Sequence, residues 1–126
     1  MTQETNDILG AYDKAYSEIL KKMERNEMSP LDVGVEINKF TAHSIRINLA
    51  VGDLNKTYKR KKAALSSGVD PDTGKSITGA KSEVLAESSD EYFARDIAER
   101  HLENCNNCIL SLKSLLKSMS RAEYAG

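Results

Sequence analysis

Residues 56–68 read KTYKRKKAALSSG, and this stretch decides the fold because a long helical pattern ends inside it. From residue 37 into this stretch, mostly apolar side chains recur at alternating steps of three and four residues. This is the heptad pattern of a helix that packs along a seam. The seam positions are Ile37, Phe40, Ser44, Ile47, Val51, Leu54, Tyr58, Lys61 and Leu65. The SSG at 66–68 ends the pattern, and turn-forming residues dominate 69–74 (VDPDTG). The sequence predicts one helix over 30–67, followed by a turn.

A second heptad pattern follows the turn. Its positions, again at steps of three and four, are Ala94, Ala98, His101, Cys105, Cys108, Leu112, Leu115, Met119 and Ala122. Ser88 and Glu91 precede it with the spacing of a capping box, so this helix is predicted over 89–123. The connection between the two long helices is much shorter than either helix, which favours antiparallel packing. We therefore predict a long antiparallel helical hairpin.

Shorter helical patterns accompany the hairpin. An N-terminal helix is predicted over 5–26 with Thr5 as its cap, and its apolar stripe is formed by Ile8, Tyr12, Ala15, Ile19 and Met23. The SPLD at 29–32 is a start signal for the first long helix, because serine caps, proline suits the first turn and aspartate follows at the third position. A short connecting helix is predicted over 80–87. No strand pattern competes, so the predicted fold class is all-α, with a single domain over 1–126.

The first half of the long helix carries an additional apolar stripe. We call it the outer stripe, and its members are Leu31, Val35, Ala42, Ile45 and Leu49. Because the stripe stops before the basic half, the first half is predicted to face two neighbouring helices and the basic half one. Gly52 lies inside this helix at a cost of about 1 kcal/mol relative to alanine, which is typical of a close helix crossing or a slight bend.

Composition indicates a small helical protein. Of the 126 residues, 40% are hydrophobic and only 6% are aromatic, so aliphatic side chains would form most of the core. Chains of this kind often complete their core by oligomerising, and we predict a homo-oligomer. The sequence shows no leader-like start and no window near the roughly 18 apolar residues that a bilayer span needs. These features predict a soluble cytoplasmic protein with reduced thiols and no membrane contact.

One face of the second long helix carries His101, Cys105 and Cys108. These residues are candidate ligands for a soft metal, but structural zinc usually takes four ligands. If facing residue numbers across the hairpin add to about 155, position 50 faces Cys105, the middle one of the three candidates. The other histidine, His43, is therefore expected about seven residues away from a position that could join them. We therefore predict that the three residues pack as small seam side chains, with no metal and no cofactor.

Sequence motifs of catalysis are weak in this chain. No spacing is typical of a serine triad, a cysteine and histidine pair or two catalytic carboxylates. The segment 68–76 ends in Gly-Lys-Ser, but five residues separate its glycines and a helix precedes it, so it departs from a phosphate-binding P-loop. We therefore predict that the protein is not an enzyme.

Charge is distributed unevenly although the net charge is only −1. Residues 56–81 hold seven basic side chains and two acidic ones, whereas residues 82–104 hold seven acidic and two basic ones. Cations near a helix C-terminus can simply offset the helix dipole, but such a cluster also attracts phosphate backbones or an acidic protein surface. We call the predicted nucleic-acid or phosphate contacts the basic tip: Lys56, Tyr58, Lys59, Arg60, Lys61, Lys62, Lys75 and Lys81.

Several local features of residues 56–119 occur together. They are the basic helix end with KKAAL at 61–65, a glycine-containing turn, Ala80-Lys81, Ser89-x-Glu91-Tyr92 and Ile109-x-x-Leu112-x-x-x-Leu116. In these features the chain resembles a group of small helical proteins encoded by bacteriophages and prophages, often among genes for recombination, replication or counter-defence. The resemblance implies an accessory protein in the cytoplasm of a bacterial host, and it supplies no catalytic residue.

Three functions are compatible with these observations. The leading hypothesis is a non-enzymatic, homo-oligomeric accessory protein that takes part in phage DNA transactions through the basic tip. The alternative is a protein-interaction or inhibitor protein that blocks a host factor, such as a defence component. A third possibility is that the tip sequesters a small phosphorylated signal in a basic pocket between subunits.

Overall fold

The computed structural model describes the backbone of residues 1–70 and 72–125 and the side chains of residues 1–70 and 72–121. Four helices follow one another: α1 (Gln3–Arg25), α2 (Pro30–Ser66), α3 (Gly79–Glu87) and α4 (Asp90–Ala125). α2 and α4 make the main helix contact, and α1 lies against both of them. The predicted all-α helical hairpin is confirmed, with every helix end within two residues of its predicted position.

Side-chain caps determine where the first two helices begin. Ser29 caps α2 as predicted and forms a capping box with Asp32. The hydroxyl of Ser29 accepts from the backbone N–H of Asp32 at 3.2 Å, and the carboxylate of Asp32 accepts from the backbone N–H of Ser29 at 2.9 Å. The cap predicted for α1 is wrong by three residues. The hydroxyl of Thr2 accepts from the backbone N–H of Thr5 at 3.2 Å, and Thr5 itself is buried inside the first turn.

α3 and α4 together form one interrupted arm alongside α2. The hydroxyl of Ser88 donates back to the carbonyl of Val84, which closes α3. The hydroxyl of Ser89 then accepts from the backbone N–H of Tyr92 at 3.3 Å, so Ser89 caps α4 in place of the predicted Ser88. Between α3 and α4, only Ser88 and Ser89 are not helical, and α4 then packs alongside α2.

The interrupted arm changes the register of the hairpin. The hydroxyl of Ser44 donates to the side-chain oxygen of Asn106 at 2.7 Å, and the guanidinium of Arg95 donates to that of Asn55 at 3.3 Å. The numbers of residues that face each other across the hairpin therefore add to 150 rather than to the predicted 155. The shift arises because α3, rather than α4, covers the last turn of α2. There the hydroxyls of Ser66 and Ser82 lie 3.4 Å apart.

The core lies where three helices meet, and it contains most of both predicted seams. Its buried members are Leu9, Tyr12, Ile19, Val33, Phe40, Ile47, Leu54, Ala94, Ala98, Cys105, Cys108, Ile109 and Leu112. Tyr12 reaches in from α1 and meets Phe40 edge to face, with ring centroids 6.1 Å apart. The seam prediction is wrong for Lys61, which is exposed, and the side chain of Ala122 lies outside the described residues.

The outer stripe faces solvent, contrary to the prediction that it meets a second neighbour. Leu31, Val35, Ile45 and Leu49 are 79%, 47%, 60% and 67% exposed, and Ala42 is half-buried. The first half of α2 does face two helices, but α1 docks into the groove between α2 and α4 and only borders one edge of the stripe, where Val35 and Leu49 line clefts beside it. A Cβ atom at Gly52 would meet nothing within 4 Å, so the described residues form no close crossing there.

Candidate nucleic-acid interface

The turn that follows α2 is fixed by Asp70. Its buried carboxylate accepts from the Lys81 ammonium at 2.6 Å and from the backbone N–H of Asp72 at 2.9 Å. The hydrogen bond from Lys81 lowers the pKa of Asp70, and the same bond raises the pKa of Lys81. Gly74, at φ +66°, donates its N–H to the carbonyl of Asp70 and completes the turn. Lys81 therefore stabilises the turn rather than presenting a free charge.

Tyr58 belongs to the end layer of the core. Its side chain is buried, and the guanidinium of Arg95 lies 4.1 Å from the centre of its ring. The ring of Tyr92 lies 5.7 Å away on the same side of the helix pair. Cation–π and aromatic contacts of this kind hold the ring against α4, so it is not free to stack on a base. We therefore omit Tyr58 from the interface that we propose below.

The other six members of the basic tip are exposed. They are Lys56, Lys59, Arg60, Lys61, Lys62 and Lys75. Among the described side chains, no carboxylate lies within the 4.0 Å ion-pair distance of any of their charged nitrogens. The five on α2 surround the helix over about 9 Å of its length, since each residue adds about 1.5 Å. We call these six residues the free cations of the tip.

The helix dipole does not account for this cluster. The last turn of α2 has no basic residue. Because the stabilisation of a cation by the helix dipole falls off within the last turn, Lys56, Lys59 and Arg60 lie too far upstream to gain much from it. The charge density of the tip thus exceeds what the end of the helix requires.

Two acidic residues of α4 form ion pairs within their own helix. On α4, Asp96 bonds Arg100 at 3.1 Å and Glu99 lies 3.8 Å from Arg95. These are i,i+4 pairs, which stabilise α4 by a few tenths of a kcal/mol each. These two pairs offset part of the charge of the acidic segment. Asp90 and Glu91, which the register places opposite Arg60 and Lys59, form no ion pair with the free cations among the described side chains.

The candidate metal ligands on α4 do not converge on one point. His101 faces two acceptors, the carbonyl of Ile97 at 2.8 Å and the carboxylate of Asp13 at 3.0 Å. Cys105 instead donates its S–H to the carbonyl of Phe40 at 3.3 Å. Within the described residues, no group of three or more His, Cys, Asp or Glu side chains is arranged to hold a metal ion.

The sequence missed a polar cluster that α1 assembles. Tyr12 lies between the two histidines, 6.1 Å from His43 and 5.9 Å from His101 between ring centroids, and donates its O–H to Asn104. Burial raises the pKa of Tyr12, while burial and the nearby charge of Arg46 lower the pKa of His43. Hairpin register alone predicts the two histidines apart. The docking of α1 places Tyr12 against both of them, and the tyrosine in the apolar stripe of α1 is the sequence signal for this contact.

We expect the two cysteine thiols to be inert in the folded protein. Burial raises the pKa of Cys105 to about 11 and also raises the pKa of Cys108, and the thiolate is the reactive form. Reaction with an aromatic disulfide reagent at pH 8 should be at least about 100-fold slower in buffer than in 8 M urea. The absorbance of the released thiolate measures both rates, and equal rates in the two solvents would contradict the buried placement.

Comparison with family models, with curated proteins and with solved structures finds no match to this chain. Its similarity to phage accessory proteins stays a prediction from sequence features. None of the helices in the described part of the chain is long and apolar enough to cross a bilayer.

Proposed function

We propose that this chain is a non-enzymatic accessory protein of the phage type that binds the phosphate backbone of nucleic acid during DNA transactions in a bacterial cytoplasm. The observation that supports this function is the set of six free cations at one end of the hairpin. Lysine and arginine contacts to phosphate supply most of the affinity of sequence-independent nucleic-acid binding. Tyr58 and Lys81 contribute indirectly, because they hold the end of α2 and the turn in place.

The chemistry of the free cations favours binding without sequence preference. Five of the six are lysines, which contact phosphate as point charges. Arg60 alone carries the planar fork that can read a guanine edge with two hydrogen bonds. The tip is therefore suited to bind the phosphate backbone of a strand rather than to recognise its base sequence.

The surface shape favours a strand over a small phosphorylated ligand. Five of the better-formed clefts on the described surface measure about 160 to 400 Å³, and the free cations line none of these five. A small-molecule site usually encloses most of its ligand in a concave pocket. The convex tip instead presents its charges around a helix, where an extended polyanion can reach several of them at once.

The proposed function predicts salt-dependent binding to both single- and double-stranded DNA. Labelled oligonucleotides of two unrelated sequences are titrated with the protein, and anisotropy is followed between 25 and 200 mM NaCl. If most of the free cations contact phosphates, the logarithm of the association constant should fall with the logarithm of salt concentration with a slope between about −3 and −5. The two sequences should bind within about threefold of each other. Absence of binding at 25 mM NaCl, or an affinity that salt does not change, would overturn the proposal.

A further inference from the structure

The outer stripe has the spacing of a second heptad seam. With Asn38 included, its positions are Leu31, Val35, Asn38, Ala42, Ile45 and Leu49, at steps of four and three throughout. They extend over about 27 Å of helix at about 1.5 Å per residue. Buried residues such as Phe40 and Ile47 lie on the opposite side of α2, so this seam faces away from the molecule's own core. A contiguous apolar surface of this kind on a small protein usually marks an interaction site.

We propose that the outer stripe is the interface of an antiparallel homodimer, in which α2 of one copy packs against α2 of a second copy. This inference does not depend on nucleic-acid binding. In an antiparallel heptad seam, Leu31 lies opposite the partner's Leu49, and Val35 lies opposite the partner's Ile45. Because a twofold axis repeats both contacts, one stripe pairs all four of its large side chains with large side chains.

The charges that flank the stripe fit the antiparallel arrangement. Asp32, Lys39 and Arg46 are exposed and follow one edge of the stripe at seven-residue steps. In the antiparallel register, Asp32 faces the partner's Arg46, and symmetry gives this opposite-charge pair twice. Lys39 meets its own copy near the axis, but Glu36 lies 3.6 Å from it and offsets that repulsion. The other edge, Gly34, Thr41 and Asn48, carries no charge and allows close approach.

The basic tip disfavours the parallel alternative. Lys56 follows Leu49 by seven residues on the same face of α2, so a parallel pair would place the two tips side by side. Their free cations would then repel each other across the pair. The antiparallel pair separates the two copies of Lys56 by about 48 Å along the helix axis, at about 1.5 Å per residue. Electrostatics therefore favours the antiparallel orientation of the second copy.

Sedimentation velocity tests the interface directly. The wild-type chain of 13.9 kDa should sediment as a dimer at 50 µM. Ile45→Asp should shift it to a monomer with unchanged helical circular dichroism, because the aspartate is placed inside the apolar seam, opposite Val35 of the second copy. Val84→Asp is the matched control, since Val84 on α3 is 65% exposed against 60% for Ile45 and lies outside the stripe. A monomeric wild-type chain, or a dimer that survives Ile45→Asp, would overturn the proposal.

Cross-linking tests the orientation of the two copies. Thr41→Cys lies near the proposed twofold axis, so a short bismaleimide should join two copies of this variant. Leu49→Cys lies about 27 Å from its symmetry mate in the antiparallel pair and should stay unlinked. The buried native thiols leave the introduced cysteine as the reactive one. Cross-linking of Leu49→Cys, whether or not Thr41→Cys is also linked, would show a parallel pair and refute the antiparallel dimer.

Discussion

Replacing Phe40 by alanine is expected to lower the free energy of unfolding by about 3–5 kcal/mol. Phe40 is completely buried, where α1, α2 and α4 meet. Its ring contacts Tyr12 edge to face and lies 5.8 Å from the ring of His43, and its backbone carbonyl accepts from the thiol of Cys105. Alanine at this position would remove the ring and leave a cavity, because the three helices cannot all collapse onto it.

The second phenylalanine of the chain provides the matched control for this experiment. Phe93 is 52% exposed on α4 and contacts the neighbouring ring of Tyr92 at 5.6 Å. Phe93→Ala should change the free energy of unfolding by less than about 1 kcal/mol, as exposed substitutions usually do. Urea denaturation followed by circular dichroism measures both variants at one protein concentration, because the proposed dimer would make stability concentration-dependent. An equal loss in the two variants would contradict the core that we describe.

Neutralising four free cations is expected to weaken DNA binding by about 100-fold or more at 50 mM NaCl. The variant combines Lys59→Gln, Arg60→Gln, Lys61→Gln and Lys62→Gln, all at exposed positions of α2. Each lost phosphate contact should also reduce the magnitude of the salt slope by about one. Anisotropy titrations at several salt concentrations provide both quantities. The unfolding midpoint should hardly move, since none of these four side chains is buried.

A second quadruple variant separates local contacts from total charge. Lys14, Lys21, Lys113 and Lys117 are also exposed, and they lie on α1 and on the second half of α4, away from the tip. Changing these four to glutamine alters the net charge by the same four units. Binding should fall by less than about fivefold, because exposed charges beyond the Debye length, roughly 14 Å at 50 mM NaCl, are largely screened. If both variants lost affinity equally, the tip would have no special role.

The hairpin was predictable because its information is local. Heptad spacing, the SPLD start and the SSG end all lie within the helices that they define, so 30–67 could be read directly from the sequence. The capping errors at Thr5 and Ser88 have a common origin. Several hydroxyl residues stand close together at both helix starts, and which of them caps depends on how the first turn packs.

Register and the third helix were less predictable because they depend on packing between distant segments. The sequence shows that a turn exists, but not that α3 lies along the last turn of α2 and moves the register by five. Likewise, the stripe of α1 shows that this helix is buried on one side, but not which groove accepts it. The contact of Tyr12 with both histidines follows from that docking and leaves no pattern in either long helix.

The candidate site was predictable by charge but not by contact. Counting basic residues identified the tip, and the structure places six of its eight members in solvent. Tyr58 and Lys81 are not free in this way because each has a structural partner. Tyr58 contacts Arg95, which is distant in sequence, and Lys81 bonds Asp70 across the turn. A local charge count contains no information about such pairs.

The layer formed by Tyr58, Arg95 and Tyr92 closes the core beneath the free cations. Beyond this layer, the side chains at 59–62 are exposed and contribute little to folding. Substitutions there should therefore hardly change stability, and only the binding partner of this end would restrict them. Mutation can therefore alter the charge of this end, or even reverse it, while the rest of the molecule stays unchanged. An architecture of this kind lets binding properties diverge quickly among descendants that keep one scaffold.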